Sequence, residues 1–288
     1  MKMATFYNQA SLSFGGTVTN SNITEGELET GLTATKTAIS GGYGANDEIT
    51  YLLTIVNNGQ AITDLSVSDN LGAYTPAANP QTTVVPLDYV ADSVLLFSNG
   101  NPGTAPTVTV GAPLVFSGIS IGAGDTVTLI YRARTNEYAP LSEGATIINT
   151  ATITAPGLLE TVTASATITA SASASLTIAK AICPSVVSDN GELTYTFIIQ
   201  NTGNTTAGVD DEIVITDTFN PILNPITVTI NGTDVTDTTA YTYNTATGEF
   251  ATVAGIITVP PATYTQDATT GVISITPGVT VITVTGTV

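Results

Sequence analysis

The sequence predicts an all-β chain of two tandem immunoglobulin-like β-sandwich domains. Three observations carry that expectation. Thr, Ala, Val, Ile, Gly and Ser dominate, and β-branched residues with small neighbours suit strands. Apolar and polar residues alternate over short runs that end in Asn-Gly-type turn signals. The chain also repeats itself, and 288 residues suffice for two domains that each bury a core.

The repeat is read from matched segments. Leu32 to Ala38 recurs as Leu176 to Ile182, which places Lys36 and Lys180 at an offset of 180 − 36 = 144. Glu48 to Tyr51 recurs at the same offset as Glu192 to Tyr195, and Asn57-Asn58-Gly59 as Asn201-Thr202-Gly203. Val67 to Leu71 matches Ile215 to Phe219 after a short insertion. The first repeat closes with a strand at Ile147 to Thr154 and another at Thr161 to Thr169. The second shows no such ending, because Gly278 to Val288 aligns with Gly124 to Arg134. Segments like the missing pair stand at the other end. Phe6 to Ser13 resembles the closing strand around Asn149, and Thr17 to Thr24 resembles the strand after it, with chance similarity between Thr-rich strands as the alternative.

This reading divides the chain into four parts. Residues 1–31 are a donor strand with a connecting hairpin, and 32–157 the first sandwich. Residues 158–175 are a connecting strand or linker, and 176–288 the second sandwich, which lacks its final strand. A sandwich without its last strand leaves sheet edges unpaired. A matching strand from an identical copy can fill the gap, with Phe6, Tyr7, Ala10 and Leu12 as the donor residues. Such a contact is heterologous and propagates head to tail as a homopolymer. The other geometry is fold-back onto the same chain, since residues 14–31 could span roughly 60 Å at ~3.3 Å each.

Composition narrows the function. Without His, the usual general base and the commonest metal ligand are missing, and one Cys cannot form an internal disulfide. No enzymatic turnover, metal or cofactor is expected. Asp210, Asp211 and Glu212 are a solvated acidic run or, alternatively, a calcium loop. A net charge of −18 argues against nucleic acid and anionic membrane as partners. The N-terminus has no apolar core of signal-peptide length, no stretch reaches transmembrane length, and no wall-anchoring signal closes the chain. The expected location is extracellular, on a cell surface, reached without a cleaved signal or by lysis of the producing cell. The anchoring protein is unspecified. An adhesin or matrix-binding module that does not polymerise is the alternative, although Trp is absent.

Strand parity places polar groups in the core. Lys36 shares a parity with Leu32 and Ala34, and Lys180 with Leu176 and Ile178. Asp69 follows Leu65 and Val67, as Asp217 follows Ile213 and Ile215. Asn149 falls in phase with Ile147, Ala151 and Ile153, and Asn8 with Phe6, Ala10, Leu12 and Phe14. Glu48 and Glu192 fall on the solvated side. Arg132 and Arg134 share an outward parity suited to pairing with surface acids, and Cys183 reads as a small half-buried residue or a link between fibres. A buried Lys, Asp and Asn together form either a salt bridge with a neighbouring amide or a spontaneous Lys–Asn amide bond. In the second case burial favours neutral Lys, and the acid moves protons as ammonia leaves.

Tyr51 to Gly59, Val67 to Asp69 and Asn149 to Ala151 resemble the bacterial surface repeat filed as domain of unknown function eleven, and Tyr195 to Gly203 with Ile215 to Asp217 carry the motif again. The chain is also similar to collagen-adhesin-type pilin domains, where a first-strand Lys bonds a last-strand Asn assisted by a buried acid. That resemblance implies one trio of Lys36, Asp69 and Asn149. It implies another of Lys180, Asp217 and the Asn8 of a neighbouring copy, with Asp69 and Asp217 as the assisting acids. Two such repeats are similar to the major proteins of clostridial spore appendages, which implies a spore filament.

Overall fold

A computed structural model describes residues 3–29, 31–77, 82–158 and 160–288. The first two residues of the expected donor segment, and residue 30, lie outside the described residues. Regular structure among those described is all β apart from one 3₁₀ turn at Val209–Asp211. The chain forms two compact units. One comprises the described residues of Met1–Ala139 and Thr146–Thr169, the other Pro140–Ala145 and Ala170–Val288.

The N-terminal segment is a ribbon. Strand β1 (Met3–Asn8) pairs with β4 (Thr24–Glu29), and β2 (Ser11–Phe14) with β3 (Thr17–Asn20). None of the four pairs with a further strand among the described residues. Gly15 and Gly16 make the turn at φ +56° and +83°, the positive values a two-residue hairpin loop requires. The Phe6 ring lies over Gly26, where a Cβ would come within 2.5 Å of it. Phe6, Leu12 and Phe14 are 51%, 68% and 84% exposed. A two-stranded ribbon with no sheet behind it is marginal by itself in water.

The first unit is a sandwich of two sheets. One runs in the order β11 (Asn101–Pro102), β10 (Leu95–Ser98), β14 (Thr126–Thr135), β7 (Glu48–Asn57), β5 (Leu32–Ala38), with β9 (Leu87–Tyr89) also on β14. The other runs β12 (Thr107–Thr109), β13 (Leu114–Ile121), β8 (Ile62–Asp69), β15 (Thr146–Thr154), β16 (Val162–Ala170), β6 (Gly42–Tyr43). Alternation explains the core. Ile49, Tyr51, Leu53 and Ile55 of β7 are buried while the residues between them are not, and Leu65, Val67, Phe116 and Ile153 meet them from the facing sheet. Each such burial contributes roughly 1.5–3 kcal/mol. Strand β16 alternates too, burying Ala164, Ala166, Ile168 and Ala170. It is therefore an integral strand of the first sandwich, although the sequence placed it in a connecting segment at 158–175.

The second unit repeats the first sheet except for β9: β17 (Leu176–Cys183), β18 (Glu192–Asn201), β26 (Gly278–Thr287), β20 (Ile226–Ile230), β21 (Thr233–Val235). Its facing sheet has three strands, β19 (Thr216–Thr218), β23 (Glu249–Thr252) and β22 (Tyr241–Tyr243), and β24 (Thr263–Gln266) and β25 (Ile273–Thr276) form a separate pair. In the first unit β8 lies between β13 and β15. Its counterpart β19 pairs with β23 alone among the described strands.

One alignment moves by a residue. Matching Gly278 to Gly124 sets Thr285 against Tyr131, an offset of 154. In the sheets Tyr131 pairs with Tyr51 and Val284 pairs with Tyr195, an offset of 284 − 131 = 153. A slip of one residue exchanges the two faces of a strand, and the buried residue is Val284.

Candidate cross-linking and strand-docking sites

The first unit brings Lys36, Asp69 and Asn149 into one dry cluster. Lys36 comes from β5 in one sheet, and Asp69 and Asn149 from neighbouring strands of the other, where Ala151 is the direct partner of Asp69. The three residues are 5%, 0% and 0% exposed. Lys36 Nζ donates to Asp69 Oδ2 at 2.6 Å, and Asp69 Oδ1 accepts the Leu71 backbone N–H at 2.9 Å. Tyr131 donates its hydroxyl to Asp69 Oδ2 in a short contact, and Asn149 Nδ2 donates weakly back to that hydroxyl at 3.5 Å. Asn149 Oδ1 is buried without a hydrogen-bond partner.

Two aromatic rings frame the amine. Lys36 Nζ lies 5.0 Å from the Tyr51 ring centroid and 5.8 Å from that of Tyr131. Burial pulls the Lys36 ammonium down to about 8, against the opposing pull of Asp69. The lysine is thus held closer to its nucleophilic, neutral form than one in water. Burial, helped by the Asp69 charge, pushes the Tyr131 phenol well above its usual range, so it stays protonated. Tyr131 is the participant that sequence reasoning missed. Its inward parity, opposite to Arg132 and Arg134, was the available signal.

The second unit brings Lys180 and Asp217 together in a short ion pair, but in an open setting. Their side chains are 42% and 18% exposed. The expected burial of Lys180 is not found, because no described strand covers this end of the sandwich. Instead Lys180 Nζ sits 4.4 Å from the Tyr195 ring centroid, 5.5 Å from Phe197 and 5.7 Å from Phe219. Leu176, Ile178 and Ile182 point to the same side and are 39%, 59% and 46% exposed, whereas Leu32 in the first unit is 3% exposed. Leu176, Ile178, Ile199, Ile213 and Ile215 line a cleft of about 170 Å³. Asn8 is exposed on the N-terminal ribbon and pairs with Thr24.

The remaining singled-out residues have plainer surroundings. Arg132 and Arg134 both donate to Glu48. The guanidiniums hold the Glu48 carboxyl below the usual range, Arg134 foremost. Asp211 accepts the Gly208 N–H at 2.7 Å and, with Asp210 and Glu212, lies exposed around the 3₁₀ turn. Among the described residues no cluster of three or more His, Cys, Asp or Glu could hold a metal ion. Cys183 is exposed and not half-buried, because it ends the uncovered β17. Asn57 and Asn201 are buried loop pins: each donates Nδ2 to backbone carbonyls and accepts the N–H of the glycine two residues on.

No known protein family matches the chain, and no curated protein does. Solved structures similar to it include the collagen-binding subdomain of the Enterococcus faecalis surface protein ACE, at 12% identity and a TM-score of 0.32, covering 46% of this chain and 94% of that one. The major pilin SpaD of Corynebacterium diphtheriae is similar at 15% identity and a TM-score of 0.36, covering 58% of this chain and 41% of SpaD. The major pilin BcpA of Bacillus cereus is similar at 11% identity and a TM-score of 0.35, covering 86% of this chain and 66% of BcpA. The chain thus spans about two fifths of SpaD and just under two thirds of BcpA. What this chain does rests on its own geometry.

Proposed function

We propose that the chain is a structural subunit of a filament on a cell or spore surface. The N-terminal ribbon of one copy docks in the second unit of the next, and Lys–Asn amide bonds lock the fibre within and between subunits. The observation that carries this reading is a complementarity. The second unit presents an unpaired β19 edge beside an exposed apolar cleft, while the ribbon presents Phe6, Leu12 and Phe14 to solvent. Open edges and exposed apolar faces of this kind call for a partner strand.

The first unit supplies the template. There Ala151 pairs with Asp69 and Ile153 with Val67. Matching Asn8 to Asn149 sets Ala10 opposite Asp217 and Leu12 opposite Ile215, with Leu12 at the cleft and Asn8 near Lys180. Strands β3 and β4 then take the place that β16 holds in the first unit. Burying Phe6, Leu12 and Phe14 contributes roughly 1.5–3 kcal/mol each, and the ladder adds backbone hydrogen bonds. Lys36 with Asn149, and Lys180 with the Asn8 of the next copy, supply the amides, assisted by Asp69 and Asp217.

The test is assembly of a chain lacking residues 1–15, followed by electron microscopy and sedimentation. The truncated chain is expected to stay monomeric, and the intact chain to form fibres with a sandwich-sized axial repeat. A truncated chain that polymerises normally refutes donation through this segment. A full-length monomer that has lost ammonia twice shows fold-back in its place.

A further inference from the structure

We infer that Tyr131 is the proton-relaying and positioning residue for amide formation between Lys36 and Asn149, an inference that rests on the covalent reading above. The phenol touches both Asp69 and Asn149. It donates to Asp69 Oδ2, the same oxygen that Lys36 Nζ contacts, and it accepts from Asn149 Nδ2, the nitrogen that must leave. The contact turns the carboxamide so that Nδ2 faces the Tyr131 hydroxyl. Oδ1 is left buried and unpaired. An amide so oriented exposes its leaving group to the proton source, not to the nucleophile.

The protons then have a route. Lys36 passes one proton to Asp69 and attacks Asn149 Cγ as the neutral amine. Tyr131 gives its proton to Nδ2 and recovers one from Asp69. The Cγ–Nδ2 bond breaks, ammonia leaves, and the new amide nitrogen returns a further proton to Asp69. Of the three protons of the lysine ammonium, one stays on the amide, one leaves with ammonia and one remains on Asp69. Because the phenol stays protonated at neutral pH, it acts as a relay and not as a base. The second unit has Val284 at the matching place in β26, so its Asp217 has no such phenol. Bond formation there runs without this relay.

The experiment follows loss of ~17 Da by intact mass over time, the mass of the ammonia expelled in amide formation, in full-length chain made by cell-free synthesis. Wild type is compared with Tyr131→Phe and with p-methylphenylalanine or p-aminophenylalanine incorporated at 131. The p-methyl side chain keeps the volume and ring contacts of tyrosine without an O–H, and the p-amino side chain keeps a donor. Circular dichroism confirms that each variant is folded. The expected result is a fall of about 100-fold in rate for the Phe and p-methyl variants, the lower end of a general acid–base contribution. The p-amino variant should recover most of that rate. A p-methyl variant as fast as wild type overturns the relay and leaves the covalent reading intact. A wild type that never loses ammonia overturns the covalent reading, and the relay with it.

Discussion

Replacing Asn149 by Ala separates a covalent cluster from a salt bridge. An amide between residues 36 and 149 closes a loop of 149 − 36 = 113 residues. Treated like a disulfide, closure of that loop contributes roughly 4.8 kcal/mol through the unfolded state. Without the bond, Asn149 offers one weak contact at 3.5 Å and an unpaired oxygen. Losing such an amide costs at most about 1–2 kcal/mol. The variant also frees Lys36 to titrate, which adds a pH signature. The folded amine is lowered from 10.5 to about 8, so between those values the unfolded chain holds a proton that the folded chain lacks. Burying the ammonium therefore penalises folding fully below about pH 8, and the penalty lifts as pH rises toward 10.5. The relief is about 2.5 × 1.36 ≈ 3 kcal/mol, chiefly from burial with Asp69 opposing. An amide nitrogen does not titrate there, so a wild type closed by the amide is expected to lack this rise. Tyr51 and Tyr131, whose phenols Asn149 touches, are pushed above this range by burial and do not add to the difference. Urea unfolding of the first unit at intervals from pH 7 to 10.5 measures both effects. A variant within about 2 kcal/mol of wild type at pH 7, with a parallel pH profile, refutes the covalent cluster.

Three further perturbations test other parts of the molecule. Asn8→Ala should remove the ladder at multiples of 29.3 kDa expected when wild-type fibres are boiled in detergent and reductant. Asp217→Ala should do the same, leaving fibres that assemble yet dissolve; wild-type fibres that collapse to monomer would exclude the intersubunit amide. Asn57→Ala should destabilise the first unit by about 1–3 kcal/mol for each buried backbone group it orphans, read by chemical denaturation. A change inside 0.5 kcal/mol would mean that water replaces the pin.

The repeat at offset 144 and the period-two alternation were enough to place Lys36, Asp69 and Asn149 on core-facing parities, because parity is local and each strand is long enough to show it. Three matters needed the structure. Strand β16 is legible as a strand, but its buried residues are mostly alanines whose apolar signal is weak, so its place inside the first sandwich is not. The match of β26 to β14 rested on a shared glycine, and only the ladder fixes which residue lies opposite Tyr195. The exposure of Lys180 depends on whether another strand covers β19 and β17, which no local pattern encodes. Tyr131 escaped notice for a related reason. Its role follows from converging on Asp69 and Asn149 across the sandwich, and sequence separation hides that meeting.

The placement of the cations has a consequence for proteolysis. Trypsin-like proteases cut after Lys or Arg in segments that can be drawn out extended into the enzyme. Of the five Lys and Arg residues, the four described are all held within hydrogen-bonded strands: Lys36 in β5, Arg132 and Arg134 in β14, and Lys180 in β17. Strand β14 is clamped on both sides, by β7 and by β9 with β10, and Lys36 is buried as well. To be cut at these sites the chain must first surrender a strand. Digestion in the first unit is therefore governed by opening of the sandwich, with little dependence on how much protease is present once cleavage outpaces reclosing. The chain would meet a digestive environment with these four susceptible bonds already withdrawn into its sheets.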